Sequence, residues 1–486
     1  MRGPKGVPGA SRRAGAFSAC PARAVVLSLS LALAFVPTSR AAAQEPSGLA
    51  GDAAPRVLSL DQALALASGQ NPEVRRAVNS AQLNGSEMRS TWMDQLLPQV
   101  SLTLFQTAFT GNLQRQAFDN FGNPIADPQA DWNYFSQTRH QLSLSWQFQG
   151  MSLFHAHRRQ QLVNEDRDVA ELVALTDVQI TVQRGYLDAL EQKELLAAEE
   201  ELLEARRIDL DVAERLFSLG LRTRVDVLNA ELAIEQQALA LQQQETAHTR
   251  ALLTLRTSMG ATDTRPIEVV ETEFPIFDPS GLDAGALISR AGEVSPTLRR
   301  SEVAIRSAQL GLSERRAQWW PRVAAGVSLY RQSFSERTSA LFDPSITGEP
   351  EGQFYIQFSI PVLGGLSGQT VQQQQAAIEL RNQRESDRQA RLELEEAIRG
   401  GLLDLENQWA TFRLAERSST IAQEALRLAR EEYRLGSRSF EDLRSAFEQE
   451  ASTRRQVITA RYAFYDAFLA LEQAVGGPLR ELIPAG

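Results

Sequence analysis

The residues able to do chemistry are few, and they are poorly placed for it. The four histidines are His140, His155, His157 and His248. His155 and His157 could in principle share a metal ion, but they fall in a segment that reads as helix, where residues two apart point in different directions. Gly364-Gly-Leu-Ser-Gly368 has the glycines of a phosphate loop, yet no Gly-Lys-Ser/Thr follows, so it reads as a strand-to-helix turn. Cys20, the sole cysteine, precedes an apolar run instead of following it, which argues against a lipid-modified cysteine. No nucleophile stands with a base. The expectation is a chain with no catalytic residue, no metal ligand and no cofactor, and so not an enzyme.

The first 43 residues read as an export signal. Arg2, Lys5, Arg12, Arg13 and Arg23 form a basic stretch, and residues 24–36 are apolar but too short to span a bilayer as a helix. Ala41-Ala42-Ala43 then offers a cleavage site. Cleavage would leave no cysteine, in keeping with an oxidising envelope compartment. The whole chain carries a net charge of −10, and losing six basic residues and no acidic ones takes the mature chain to −16. Nucleic acid is therefore excluded as a partner, since phosphate binding needs a basic face. No other apolar run approaches the length of a membrane helix, so any crossing must use strands.

The elements come twice. Residues 58–110 read as a short helix, a second helix opening at Asn71-Pro72, and a strand after Leu97-Pro98. Residues 282–333 repeat that order around Ser295-Pro296 and Trp320-Pro321, and Gly185, Gly220 and Gly260 recur 216 positions later as Gly401, Gly436 and Gly476. Each copy continues into a second alternating strand and then a long stretch without proline, from Pro128 to Pro266 and from Pro361 to Pro478. Leu, Ala, Glu, Gln and Arg dominate there, which is helix composition. One helix over residues 153–218 would reach about 100 Å at 1.5 Å per residue and must pair along its length. Turns at Gly220 and Gly436 let the chain return over residues 225–258 and 440–475. Leu196, Leu203, Leu210 and Phe217 are spaced by seven, as are Leu414, Ile421, Leu428 and Leu435, so each set is expected to be a helix–helix seam. Gly185 and Gly401, mid-helix, mark a bend or a close approach.

The strands decide against helices alone. Leu142, Leu144, Trp146 and Phe148 alternate with polar residues, as do Phe354, Ile356, Phe358 and Ile360; Val323, Ala325, Val327 and Leu329; and Val100, Leu102 and Leu104. A half-buried antiparallel sheet gives this period too. The export signal favours the other reading, a lipid-facing barrel with a wet interior, as do Trp132, Tyr134, Trp146, Trp319, Trp320 and Tyr330 near strand ends. Four strands cannot close a barrel and open edges are not tolerated in lipid, so copies must assemble; two would give eight strands and three would give twelve.

The duplicated order, together with Gly220-Leu-Arg-Thr-Arg-Val-Asp-Val-Leu-Asn-Ala-Glu-Leu after a long helix and Pro361-Val-Leu-Gly-Gly at a strand-to-helix junction, resembles the TolC-type outer-membrane efflux proteins. The likeness runs from about Leu58 to Gly477. It implies an internally duplicated α+β membrane protein: a trimer with one 12-stranded transmembrane β-barrel, four strands per chain, continuous with a long periplasmic α-helical coiled-coil barrel. The organisation expected is a signal peptide (1–43), a flexible N-terminal segment (44–57), a first repeat (58–281), a second repeat (282–477) and a C-terminal tail (478–486). The first repeat holds strands near 99–110 and 139–149, a helical hairpin near 152–259 and an equatorial segment at 262–281. The second holds strands near 322–332 and 352–363 and a hairpin near 367–475.

The resemblance further implies a passive exit duct of a tripartite efflux or type I secretion system in the cell outer membrane, docking with a periplasmic adaptor and an inner-membrane pump. Adaptors would dock at the hairpin tips: Leu219, Gly220, Leu221 and Thr223 in the first, Leu435, Gly436, Ser437 and Ser439 in the second. The second tip reads as one residue shorter before Asp442-Leu443. Asp226, Glu441 and Asp442 would narrow the periplasmic entrance, although a carboxylate in a helix's first turn also serves the positive helix end. Gln147 stands where the second copy has Pro361, so the first junction is expected to bend differently. The competing class is a soluble periplasmic coiled-coil adaptor or structural protein, which accounts for the helices but not for the strands.

Overall fold

The duplication is visible element by element in the computed structural model, which describes residues 56–477 and 479 apart from 116, 119–120, 128–129, 149–150, 273, 275, 336–347 and 361–365. The signal segment, Cys20, Pro361-Val-Leu-Gly-Gly and most of the C-terminal tail lie outside the described residues. The first repeat runs β1 (Arg56–Leu58), α1 (Leu60–Gln70), α2 (Pro72–Ala81), α3 (Asn84–Leu96), β2 (Gln99–Arg115), β3 (Ala130–Phe148), α4 (Ser152–Ser218), α5 (Arg224–Met259) and β4 (Ile267–Val269). After a 3-10 turn at Pro279–Gly281, the second runs α6 (Ala284–Val294), α7 (Pro296–Ala317), β5 (Arg322–Ser335), β6 (Pro350–Ser359), α8 (Leu366–Arg434) and α9 (Phe440–Val475). Local chemistry sets the starts. Ser59 forms a capping box with Gln62, the Asn71 side chain accepts from the Glu73 amide, and Pro72 and Pro296 open α2 and α7 at positions whose amides have no helical partner.

Among the described residues only the first repeat has the β1 and β4 strands, and the copies differ again at one helix. The single helix expected from Asn71-Pro72 is two, α2 and α3, with a turn at Gln82-Leu83, whereas α7 is unbroken. Asn84-Gly85 just after the turn is a weak helix former, and the second copy has no such pair in that stretch.

Each long hairpin is buried at its middle against its own repeat's small elements. Around α4 and α5, Val182, Tyr186, Ala189, Leu255 and Met259 form one core with Leu58, Ala63, Ala67 and Val269. Around α8 and α9, Ile398, Leu405, Phe464, Phe468 and Leu471 form another with Leu287 and Ala291. Gly185 and Gly401 lie where the two arms of each hairpin press together, a Cβ on the former falling 3.7 Å from the Leu255 Cα and on the latter 3.3 Å from a Leu471 methyl. The first is an ordinary contact and the second a tight one, so a close approach is what Gly401 allows, and Gly185 only faces the seam. At the hairpin ends Gly260 and Gly476 have φ of 68° and 82°, and a Cβ there would meet the Asn71 Cα at 2.8 Å and the Ser295 Cα at 3.1 Å. A two-stranded parallel ribbon, β1 on β4, completes the belt in the first repeat, and the Tyr186 hydroxyl lies 3.0 Å from the Leu58 carbonyl and 2.6 Å from that of Val270. Periodicity cannot reveal three-residue strands, and this ribbon went unseen.

The remaining strands form one antiparallel sheet in the order β2-β3-β5-β6. Cross-strand register puts Val100, Leu102, Leu142, Leu144, Trp146, Phe148, Val323, Val327, Leu329, Phe354, Ile356 and Phe358 on one face. The other face carries Gln99, Ser101, Thr103, Gln141, Ser143, Ser145, Gln147, Arg322, Ser328, Gln353, Tyr355, Gln357 and Ser359. β2, β3 and β5 extend past the expected limits, and past Leu142 and Leu329 the apolar face turns polar at Thr138, His140 and Arg331. Tyr330 is not a rim aromatic on the apolar side: its side chain is on the polar face, donating to Glu351 at 2.6 Å. Ile360 lies beyond the end of β6. No helix among the described residues is long and apolar enough to cross a membrane.

Of the two seven-residue seams, one faces away from the chain. Leu414, Ile421, Leu428 and Leu435 are 66%, 71%, 45% and 83% exposed. Inside the hairpin α8 uses a different sevenfold stripe, Ile398, Leu405, Phe412, Ser419, Leu426 and Tyr433, every member of which is buried.

Candidate functional site: the paired hairpin tips

Both tips are built by the same rules. α4 ends at Ser218, Gly220 takes φ 76°, and the amides of Leu221 and Gly220 donate back to Leu216 O and Phe217 O at 2.9 Å each. At the second tip Gly436 takes φ 78°, with Ser437 N donating to Glu432 O at 3.0 Å and Gly436 N to Tyr433 O at 3.1 Å. Glycine is the residue that reaches this left-handed conformation without strain. Three residues on, Thr223 and Ser439 cap α5 and α9 in boxes with Asp226 and Asp442. Asp226 N donates to Thr223 Oγ1 at 3.3 Å and Asp442 N to Ser439 Oγ at 3.2 Å, while the Ser439 hydroxyl returns a 2.6 Å bond to Asp442 Oδ2. The glycine, the cap and the carboxylate keep the same intervals in both tips, so the second is not shorter by a residue. Leu219, Leu221 and Leu435 stand exposed at the ends.

The three carboxylates are engaged locally. Asp226 and Asp442 are the reciprocal partners of their own caps, and the Ser439 hydroxyl and amide hold the Asp442 carboxyl below its usual range. Glu441 is ion-paired with Arg444, which lowers its pKa as well, and Arg444 also reaches Glu448 at 2.5 Å.

The fold brings the tips together. Leu202, Ala213, Val227 and Ala230 of the first hairpin pack with Leu426, Tyr433, Phe440, Leu443 and Phe447 of the second. Arg222 fastens them: one guanidinium nitrogen donates to Tyr433 O at 2.9 Å and Arg438 O at 2.6 Å, and the group lies 4.2 Å from the Tyr433 ring centre. Deeper in, Arg206 stacks 3.6 Å from the Phe447 ring, and burial pushes its guanidinium down to about 10. Arg430 pairs with Asp209 at 3.2 Å, and burial raises the Asp209 carboxyl against that pull. Sequence reading missed Arg222, Tyr433, Arg206 and Phe447. A signal existed: Arg222 and Arg438 hold equivalent positions 216 residues apart, and Tyr433 sits on the buried stripe of α8. His155 and His157, by contrast, turn to separate partners, Ser313 at 3.4 Å and Gln161 at 3.0 Å.

A four-stranded sheet, apolar on one face and open at both edges, joined to two helical hairpins whose tips are locked together, defines an internally duplicated α+β fold class. The comparisons agree with that class. Residues 287–477, within the second repeat, match the family model described as outer membrane efflux protein. The fold matches the CmeC outer membrane channel of Campylobacter jejuni (TM-score 0.65, 15% identity, covering 86% of this chain and 85% of that one). It also matches the outer membrane protein VceC of Vibrio cholerae (0.62, 15%, 87% and 97%) and the MtrE outer membrane channel of Neisseria gonorrhoeae in its open state (0.62, 16%, 86% and 89%). No curated protein sequence matches the chain.

Proposed function

We propose that three copies of this chain form an outer-membrane exit channel, a 12-stranded barrel continued by a periplasmic helical duct, through which a tripartite efflux or type I secretion system expels solutes. The observation that carries this reading is the sheet. Its apolar face suits lipid, its polar face suits a wet lumen, and its unpaired outer edges on β2 and β6 require partner strands. Support also comes from the exposed stripe of α8, which needs a neighbour, and from the shared fold and domain. The tips at Leu219–Thr223 and Leu435–Ser439 present exposed leucines around rigid turns, which fits docking by a periplasmic adaptor linked to an inner-membrane pump. Asp226, Glu441 and Asp442 are proposed to border the entrance at those tips. A soluble coiled-coil adaptor leaves the two-faced sheet unexplained. Membrane fractionation and planar-bilayer recording test the proposal: the chain should sediment with outer membranes and conduct ions when reconstituted. A protein found only in the soluble periplasm, with no pore current, overturns it.

A further inference from the structure

The polar face of the sheet is almost without charge at its helical end, where glutamines, serines and threonines line it and Arg322, the first residue of β5, is the exception. Arg322 also borders a cavity of about 280 Å³ between α3, α4 and α7, together with Ser152, Arg159, Glu314, Arg315 and Trp320. Of the three arginines, only Arg159 is neutralised, by an ion pair with Glu314. Arg315 donates to the neutral Gln372 at 3.1 Å. Arg322 makes no ion pair or side-chain hydrogen bond among the described residues. The floor of the cavity is the start of α4, whose N-cap, Met151, supplies no side-chain acceptor. Two uncompensated guanidinium groups face a space large enough for a small anion with its water, inside a chain whose overall charge is negative.

We propose that this cavity is an anion-binding station on the luminal wall, taking phosphate- or carboxylate-bearing groups of the cargo as they pass from helices to strands. Arg315 and Arg322 hold the anion by charge-assisted hydrogen bonds. The Ser152 hydroxyl is committed to Gln95 Oε1 at 3.3 Å, so the two guanidinium groups are the donors, and Trp320 shields one side. The luminal position rests on the channel reading, because it is the apolar face that assigns the opposite face to the lumen. The same guanidinium chemistry could serve the headgroup of an anionic lipid. The polar surroundings of Arg322 favour the lumen.

The test uses full-length protein in detergent and inorganic pyrophosphate as the probe. Calorimetric titration should show saturable binding, weakened about tenfold or more in Arg315→Gln/Arg322→Gln, with assembly unchanged by light scattering. Arg384→Gln, a remote exposed arginine on α8, should bind as wild type. If the double variant fails to assemble, Arg322→Gln alone is read, since that side chain holds nothing in the fold. Absent binding, equal binding in the pocket variants, or an equal loss in Arg384→Gln overturns the station. In bilayers, pyrophosphate added from the helical side should reduce wild-type current and leave the double variant's current nearly intact. A wild-type protein that binds pyrophosphate but passes no current defeats the channel reading and leaves the pocket standing. Arginine-dependent retention of phosphatidylglycerol in native mass spectrometry, with no pyrophosphate binding, would overturn the luminal assignment in favour of a lipid.

Discussion

At the residue scale, Arg222 matters most at the tips. It bonds two carbonyls that close the opposite tip and covers the Tyr433 ring, whose own hydroxyl is buried without a partner among the described residues. Lysine can reproduce this only in part: a single nitrogen makes both bonds, but an ammonium lacks the flat guanidinium face that lies on the ring. Arg222→Ala should cost about 1–3 kcal/mol of local stability, from charged hydrogen bonds and one cation–π contact, and Arg222→Lys should recover only part of it. Hydrogen exchange reads this out: amides around 219–224 and 435–440 should exchange faster in both variants, while those near Tyr186 stay protected. Unchanged exchange at the tips would show that the leucine and phenylalanine packing alone joins them. Glu441 and Asp442 make a second case. If they border the entrance, Glu441→Ala/Asp442→Ala should raise single-channel conductance or weaken block by multivalent cations. Because both already have local partners, an unchanged conductance and block would assign them to helix capping and the Arg444 pair alone.

At the element scale, the left-handed glycines were legible in the sequence because they obey a short-range rule, Gly220 and Gly436 taking φ near 77°, whereas Thr223 and Ser439 three residues later were read as tip residues and not as the caps they are. Thr223→Ala and Ser439→Ala should each cost about 1 kcal/mol of stability, the usual value of an N-cap, measured by urea unfolding of assembled protein. The second cap also carries a pH dependence. The Asp442 pKa is lowered in the fold, so its stabilising contribution is complete above the ordinary value near 3.8 and fades as pH falls through and below it. Ser439→Ala should therefore narrow the gap between stability at pH 6 and at pH 3. What could not be read was which sevenfold stripe faces inward. Leu414, Ile421, Leu428 and Leu435 look like a core seam because they are all large and apolar, yet the buried stripe includes Ser419 and Tyr433. Spacing finds a seam, but the partner that fills it is a tertiary fact. The β1–β4 ribbon and the break between α2 and α3 escaped for a related reason: each is fixed by two or three residues, below the length at which periodicity gives a signal.

At the scale of the whole molecule, the described chain leaves two kinds of surface unfinished, and both ask for the same completion. The sheet lacks strands beside β2 and β6, and the exposed stripe of α8 lacks a helix to pack against it. On α5, Val225, Leu228, Leu232 and Leu239 are similarly uncovered. In the proposed channel, helix-on-helix pairing between copies would close the duct below the membrane, and strand pairing would close it within. The two closures can be separated experimentally. Replacing Leu414, Ile421 and Leu428 with glutamine removes apolar surface that is largely exposed and outside the buried stripe of α8, so the hairpin itself should fold with native helicity. Each leucine or isoleucine buried at a seam is worth about 1.5–3 kcal/mol, and three per chain, repeated around the ring, exceed the stability margin of an ordinary assembly. The triple variant should therefore appear in light scattering as monomer or as strand-paired oligomers more easily split by denaturant, with circular dichroism unchanged. Retention of full assembly strength would mean that the α8 stripe faces the lumen or a partner protein, and that the strands alone hold the copies together.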